Sequence, residues 1–446
     1  MNSPMANDAM LARADAESAK TPSTPSQDTW IHHGTPAFRR ANLALFAAGV
    51  ATFGLLYCVQ PLMPEFSREY GVGAAVSALS LSVTTAVLAV AMLFAGALSD
   101  TWGRRRVMTL SLVSSAVLVL LTALAPGWRS LLILRTLLGF TLSGLPAVAM
   151  TWLSEEMHPE SIGLGMGLYI SGNAIGGLSG RLLAGITADW LGWRGGIAVV
   201  GAVGLASALL FWRTLPPSRH FVPQPLQLRA LPKRFARLFH DRALPWLFVE
   251  GFLLLGAFVT VYNYLGYRLL APPYDFSQAL VGLIFAVYVV GMFSSPWMGH
   301  LAGKLGRRKV LWTALLLMLI GIGLTLAASV WLILAGLVVL TFGFFGGHSI
   351  ASSWVGRRGG AARAQASSMY LFAYYLGSSV AGAAGGLFYA DDGWTGVGLF
   401  VGLLVVSGLL VAWHLHRVPP LVDGRAERVH AEAVPMSASP VLPHGS

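Results

Sequence analysis

Charged residues make up only 11% of this 446-residue chain, while 55% are apolar; an ordinary soluble domain carries about a quarter charged residues. With a mean hydropathy of +0.65, that scarcity excludes a soluble globular protein and leaves a polytopic membrane protein. Cysteine is almost absent. Cys58 stands alone inside an apolar run, so no intramolecular disulfide forms. The chain also lacks a G-x-x-x-x-G-K-[ST] phosphate loop, a His/Cys metal-ligand spacing and a nucleophile elbow. ATP-driven work has no support, and neither an enzyme, a cofactor nor a metal is expected. The formal charge of +11 raises nucleic acid as a partner, but the arginines punctuate apolar runs instead of forming one basic face, so no such binding is expected.

What is present is a series of apolar runs, each near the roughly 20 residues that a crossing helix needs. They predict spans near 42–63, 75–98, 107–125, 130–152, 163–187, 194–213, 244–267, 278–299, 309–328, 331–354, 365–389 and 394–415. Twelve spans, numbered 1 to 12 in this order, put both chain ends on one side. Segments on that side hold 24 of the basic residues, against four (Arg68, Arg129, Arg194, Arg268) on the other. By the positive-inside rule both termini are cytoplasmic. Residues 1–38 lack the pattern of a cleaved signal and read as a disordered cytoplasmic tail; 39–214 form a first six-helix bundle. The basic, proline-containing stretch 215–243 is an inter-bundle linker, 244–417 a second bundle, and 418–446 a second disordered tail.

The two halves repeat one another. Gly96-Ala97-Leu98-Ser99-Asp100-Thr101-Trp102-Gly103-Arg104-Arg105-Arg106 returns as Gly299-His300-Leu301-Ala302-Gly303-Lys304-Leu305-Gly306-Arg307-Arg308-Lys309, an offset of 203; Leu132-Ile133-Leu134 recurs as Leu332-Ile333-Leu334 at an offset of 200, and Leu191-Gly192-Trp193 is echoed by Asp392-Gly393-Trp394 at 201. Two parallel repeats related by an axis along the membrane normal can rock about a shared midplane site. An ion gradient, or the substrate's own, is then the driver.

The stretch Gly96-x3-Asp100-x2-Gly103-Arg104-Arg105 resembles the signature loop between helices 2 and 3 of the major facilitator superfamily. Arg135-x3-Gly139 resembles the arginine motif of proton-coupled members. Gly167-x8-Gly176-x3-Gly180-Arg181-x2-Ala184-Gly185 follows the antiporter motif of the drug:proton antiporters with twelve helices, departing from it at Arg181 and Ala184. Leu55 to Pro61 and Gly167 to Asn173 are similar to the YnfM-like inner-membrane transporters of bacteria. The resemblance covers residues 38–417. It implies an all-α membrane fold of two pseudo-symmetric six-helix bundles in the bacterial inner membrane. A monomer would move a small molecule with protons, in contact with membrane lipids.

For the loop, the resemblance implies a cytoplasmic gate. Asp100 would meet the start of span 11 near Gln365 in the outward-open state, and Arg104 would pair with Glu155 or Glu156 at the end of span 4, with Arg105 and Arg106 facing phospholipid. The repeat has Gly303 in place of Asp100, so the two gates are unequal. In span 5 the glycines of the antiporter motif form a stripe on one helical face. Packing against the opposing half is favoured over substrate contact. Arg181 reads as an outer ion pair with Glu65 or Asp189, within snorkelling reach; a substrate role is the alternative, since two intramembrane arginines leave room for anionic substrates.

Depth along the helix axes suggests further groupings. Arg135 and Gln60 share a depth on the N-terminal side of a cavity that, in this family, spans 1, 4, 7 and 10 line; a snorkelling arginine is the alternative. Glu250 and His348 each lie roughly 9 Å from the cytoplasmic face. A carboxylate at that depth must be paired or take up a proton. Glu250 is therefore the first candidate for proton binding, with His348 as partner or relay and Arg135 a further coupling residue; a structural hydrogen bond is the plain alternative. Tyr57, Gln60, Asn173, Tyr262, Asn263 and Tyr374 are the cavity candidates, in an aromatic setting suited to amphipathic solutes. The preferred function is proton-coupled efflux of small amphipathic or drug-like compounds. The alternatives are a proton symporter importing a sugar or organic acid and, from another class, a signalling or assembly protein without transport.

Overall fold

Two glycines, one in each repeat, share a backbone conformation that ends one helix and begins the next. Gly103 has φ 92° and ψ 137°, and Gly306 has φ 90° and ψ 139°. A side chain is strained at such positive φ, so glycine is the residue that allows the break. The repeat seen in the sequence is thus a repeat in backbone geometry.

A computed structural model describes residues 30–225 and 231–419. The first half contains α1 (Pro36–Tyr57), α2 (Met63–Tyr70), α3 (Ala74–Trp102), α4 (Arg104–Ala123), α5 (Trp128–Leu142), α6 (Pro146–Glu156) and α7 (Pro159–Thr214). After α8 (Leu231–Leu238) come α9 (Leu244–Leu270), α10 (Gln278–Ile284), α11 (Val289–Leu305), α12 (Arg307–Thr325), α13 (Val330–Arg358) and α14 (Arg363–Arg417). Among the described residues the β-pairing is a single isolated bridge, Ile31 with Met157.

Helices of 56 and 55 residues, α7 and α14, would each run about 80 Å if straight, far beyond a hydrocarbon core of about 30 Å. Each turns back where φ is positive, at Gly192 (66°) and Gly393 (57°), and so supplies two spans. Nine helices among the described residues are long and apolar enough to cross; doubling these two gives eleven. Span 4 is the twelfth, broken between α5 and α6 ahead of Pro146, which has no N–H to continue the ladder. Spans 1 and 8 are broken as well. A 3-10 turn at Gln60–Leu62 follows α1, and another at Phe285–Tyr288 separates α10 from α11.

Both six-span bundles are held by close helix seams. A Cβ on Gly180 would lie 2.5 Å from Gly54 Cα, and one on Gly172 2.5 Å from Phe46 O, so spans 1 and 5 touch backbone to backbone. The equivalent seam of the second half brings Gly256 to within 2.9 Å of Ala381 Cβ on the same reckoning. In lipid, where no hydrophobic drive separates one helix from its surroundings, such small-residue contacts supply the association.

The halves meet through two related pairs, span 2 with span 11 and span 5 with span 8. Ser379 Oγ donates to Ser82 O at 2.7 Å, Gly386 abuts Ala75, and Gly185 abuts Gly282. All of these approaches lie toward the face opposite the 215–243 segment. At the linker face α3 ends differently: a Cβ on Gly96 would meet nothing within 4 Å. The halves therefore close at the far face and part toward the linker face.

Of the two tails and the linker, 1–29, 226–230 and 420–446 lie outside the described residues. The end of the 1–38 stretch is not loose. Ile31 N donates to Glu156 O at 2.9 Å, His158 N to Ile31 O at 3.1 Å, and His33 N to Ser161 Oγ at 2.9 Å. Thr35 caps α1, accepting from Phe38 N at 3.1 Å, which starts the first helix six residues earlier than the apolar run predicts. The described part of the linker is docked too, and includes α8.

Candidate functional site

At the linker face the α3–α4 turn brings one arginine to three acceptors. Arg104 Nε and Nη2 fork onto the Glu155 carboxylate at 3.1 and 2.8 Å, and Nη1 reaches Ser99 Oγ at 2.5 Å and the Asp100 carboxylate. The Phe221 ring of the linker covers the guanidinium, with its centroid 5.5 Å from Cζ. Asp100 is turned to Arg104 within its own half, not to Gln365. The expected cross-half contact of Asp100 is not made in this state, in which the halves part at this face. Glu156 is not a partner of Arg104 either. It is 1% exposed and accepts from Arg219 N at 2.8 Å and His220 N at 3.0 Å, fastening the linker. Arg105, expected to face phospholipid, donates to Trp212 O at 2.8 Å.

Arg135 is fully buried, and its reach follows from the break in span 1. Pro61 and the 3-10 turn interrupt the helical ladder, leaving carbonyls of the preceding turn to be satisfied. Arg135 Nη1 donates to Leu55 O at 3.2 Å and Nη2 to Leu56 O at 2.6 Å, while Nε donates to Ser80 O at 2.8 Å. Thr84 Oγ1 donates to Arg135 O at 2.9 Å and to Ser80 O at 3.3 Å. Gln60 is not among the partners of Arg135. It ties spans 1, 2 and 4 together, and among the described residues no carboxylate pairs with it.

Gln60 meets the other arginine. Arg181 Nε donates to Gln60 Oε1 at 2.6 Å and Nη1 to Gly177 O at 2.5 Å; its Cζ lies 4.0 Å from the Tyr57 ring centroid and 4.6 Å from that of Tyr288. The outer ion pair is not formed. Glu65 pairs with Arg68, and Asp189 accepts from Ala279 N at 3.0 Å. Arg181 is 2% exposed, held at the contact of the two halves instead of snorkelling. Gln60 Nε2 then donates to Asn263 Oδ1 at 2.8 Å, so a chain of three side chains crosses from one half to the other. Beyond it toward the far face, Gln278 Nε2 donates to Pro61 O, and Tyr267 Oη donates to Met63 O at 2.9 Å.

Glu250 and His348 are not paired. Glu250 is buried, with neither carboxylate oxygen hydrogen-bonded; a Cβ on Gly408 of span 12 would lie 3.3 Å from its Oε1. The carboxylate thus lies against span 12 and makes no hydrogen bond to His348 of span 10. His348 Nδ1 instead lies 3.0 Å from Tyr370 Oη, and its ring 4.5 Å from that of Tyr374. The Tyr370 ring also abuts span 7 beside Glu250, where a Cβ on Gly251 would lie 2.7 Å from its Cε2.

The glycine stripe of span 5 packs mostly within its own half, against the expectation. Gly176 abuts Val50 O and Gly180 abuts Gly54, both on span 1; Gly185 alone of the motif crosses to Gly282, and Gly167 faces open space. Asn173 joins the same intra-half seam beside Gly49, with Oδ1 unpartnered. Tyr262 Oη is 2.8 Å from Thr341 Oγ1, linking spans 7 and 10. Sequence reasoning did not single out Tyr288, Phe285 or Phe344. Phe344 stacks on Phe258 with centroids 3.8 Å apart, and Phe285 and Tyr288 stand at the two ends of the 3-10 turn in span 8. Their one signal is an aromatic pair three residues apart in an aliphatic run.

The profile described as Major Facilitator Superfamily matches residues 45–276 and 251–442. The chain is 49% identical over 395 residues to the inner membrane transport protein YnfM of Escherichia coli (strain K12), covering 89% of this chain and 94% of that one. It is 45% identical over 400 residues to the MFS-type transporter YybF of Bacillus subtilis (strain 168), covering 90% and 99%. Among solved structures, the nucleoside transporter NupG (TM-score 0.69, 16% identity, 85% of this chain and 100% of that one) and the peptide transporter POT in complex with alafosfalin (0.71, 13%, 87% and 96%) share its fold. Twelve spans in two repeats, a buried polar chain where they meet and these full-length matches lead to one assignment: the chain belongs to the major facilitator superfamily and is a secondary transporter of the membrane.

Proposed function

We propose that the chain exports small amphipathic compounds in exchange for protons, as a monomer in the bacterial inner membrane with its linker face in the cytoplasm. The loop charges support that orientation, and on it the cleft between the halves, where they part at the linker face, opens inward. The observation that carries the proton reading is Glu250, whose two oxygens are buried without a hydrogen bond. An ionised carboxylate left so costs several kcal/mol, and a bound proton removes that cost. Uptake and release of this proton, with Tyr370 and His348 as the path toward the cleft, is then linked to which face is open. Aromatic rings around the cleft suit amphipathic solutes.

A second reading, proton symport of an organic acid, is favoured by the buried guanidinium of Arg181. Direction separates the two. In proteoliposomes with an imposed pH gradient of each sign, antiport moves substrate against its own gradient as protons move the opposite way; movement of both together overturns the export reading. Glu250→Gln abolishes substrate-driven pH change while the protein still inserts. A variant that still alkalinises or acidifies vesicles removes Glu250 from coupling.

A further inference from the structure

A guanidinium that is 98% removed from solvent ordinarily has a carboxylate beside it, because an unpaired buried charge is costly. Arg181 is 2% exposed, and among the described residues no carboxylate lies within ion-pair distance of it. Its protein partners are neutral: Gln60 Oε1 at 2.6 Å and Gly177 O at 2.5 Å, with the faces of Tyr57, Tyr288 and Phe285 at 4.0, 4.6 and 5.3 Å from Cζ. The acids nearest in sequence are engaged elsewhere. Glu65 is on Arg68, Glu69 on Arg194, and Asp189 on a backbone amide. Among the described residues, this positive charge at the meeting point of the two halves has no counter-charge.

Toward the linker face the surroundings of Arg181 are aromatic and only part-buried. Phe53 stacks on Tyr57 with centroids 6.2 Å apart, and Phe345 stands edge-on to Tyr288 at 5.9 Å; both keep some exposure, as do His348 and Tyr374. These rings offer their faces to a flat apolar body, and a carboxylate at its end would replace Gln60 as the acceptor of Arg181 Nε. Arginine presents paired N–H groups that match a carboxylate.

We propose that Arg181 is the anion-recognition point of the transport cleft, and that the ligands taken there are aromatic or other planar amphipathic carboxylates. Binding breaks the Arg181–Gln60 bond. That bond lies within the first half, so Gln60, which still donates to Asn263 of the other half, loses its anchor on Arg181 and the cross-half bond is less firmly held. The proposal rests on the reading that the cleft binds small amphipathic solutes, but it is independent of direction and of protons.

The test uses the full-length protein in nanodiscs, without any gradient, and three probes of one shape: 2-naphthoate, 2-naphthamide and 2-naphthylmethylamine. Wild type is expected to bind 2-naphthoate about 10- to 100-fold more tightly than the neutral amide, the range for a charge-assisted hydrogen-bonding pair, and the amine more weakly still. Arg181→Gln brings naphthoate down to the affinity of the amide, whereas Arg181→Lys keeps part of the preference. The wild-type ranking needs no variant to fold, so it decides the matter even if Arg181→Gln is unstable. Equal binding of naphthoate and naphthamide by wild type overturns the proposal, as does an Arg181→Gln protein that keeps the wild-type preference. Carboxylate-selective binding with no naphthoate-linked proton movement in vesicles sustains the anion site and sinks the proton-exchange reading. Proton-linked transport of other compounds with no carboxylate preference does the reverse.

Discussion

At the scale of single residues, two buried arginines of similar depth have opposite surroundings. Arg135 is saturated by main-chain oxygens on spans 1 and 2, so it acts as a strut across the break at Gln60. Replacing it with Met removes three hydrogen bonds; Ser80 O keeps Thr84 Oγ1 and Leu55 O keeps Cys58 Sγ, but Leu56 O is stranded at a cost of about 1–3 kcal/mol. Arg135→Met is expected to lower the melting temperature in detergent markedly, and Arg135→Lys to recover little, since one ammonium cannot span the same fork. A melting curve like that of wild type would show the strut to be idle. Asp241, just before α9, offers a pH test outside the membrane. Burial pushes its carboxyl up, but the Arg358 guanidinium at 2.9 Å and the amides of Ala243 and Leu244 outweigh this and hold it below the usual range. A lowered value means that the stabilisation is complete above the unfolded Asp value of about 3.9 and is lost as pH falls through the folded value. The gap in stability between wild type and Asp241→Asn should therefore be constant from pH 5 to 7 and shrink below about pH 4.

At the scale of elements, the breaks matter as much as the helices. The 3-10 turn of span 8 sets Phe285 and Tyr288 against Arg181, and the break in span 1 frees the carbonyls that Arg135 takes. The seam between spans 1 and 5 gives a graded test within one motif. Gly176 touches the backbone of Val50, where no side chain can give way, whereas a Cβ on Gly167 meets open space. Gly176→Leu is expected to disrupt the first bundle and cut folded yield severalfold; Gly167→Leu should fold as wild type. Equal yields would mean that the seam is looser than it stands.

At the scale of the whole molecule, closure at one face and parting at the other predict a pattern of crosslinks. Spans 2 and 11 run antiparallel with Ser82 opposite Ser379, and continuing that register places Gly96 opposite Gln365. In a Cys58→Ser background, cysteines at 82 and 379 should crosslink in the resting protein and block transport until reduced, while cysteines at 96 and 365 should react only when the cycle closes the linker face. Equal crosslinking of both pairs at rest, or transport through the 82–379 crosslink, would refute the rocking of two rigid halves. Asp100, turned here to Arg104, belongs to the same cycle. Asp100→Asn should reduce transport with insertion unchanged, because the linker face then lacks its carboxylate for span 11.

The number of spans, the repeat at offsets of 200 to 203 and the superfamily were legible in the amino-acid order, because apolar length, glycine punctuation and the Gly96 to Arg106 signature are local features of the chain. The two loop glycines carry their conformation with them. The partners of the intramembrane polar groups were not legible. Counting residues along a helix gives height in the membrane but not the side of the helix that meets a given neighbour. Glu250 and His348 share a height and still face different spans; Arg181, within snorkelling reach of the surface, turns inward to Gln60. Broken helices add a second reason. The carbonyls that hold Arg135 become acceptors only where the 3-10 turn releases them, and which side chain fills that gap is settled when spans 1, 2 and 4 pack.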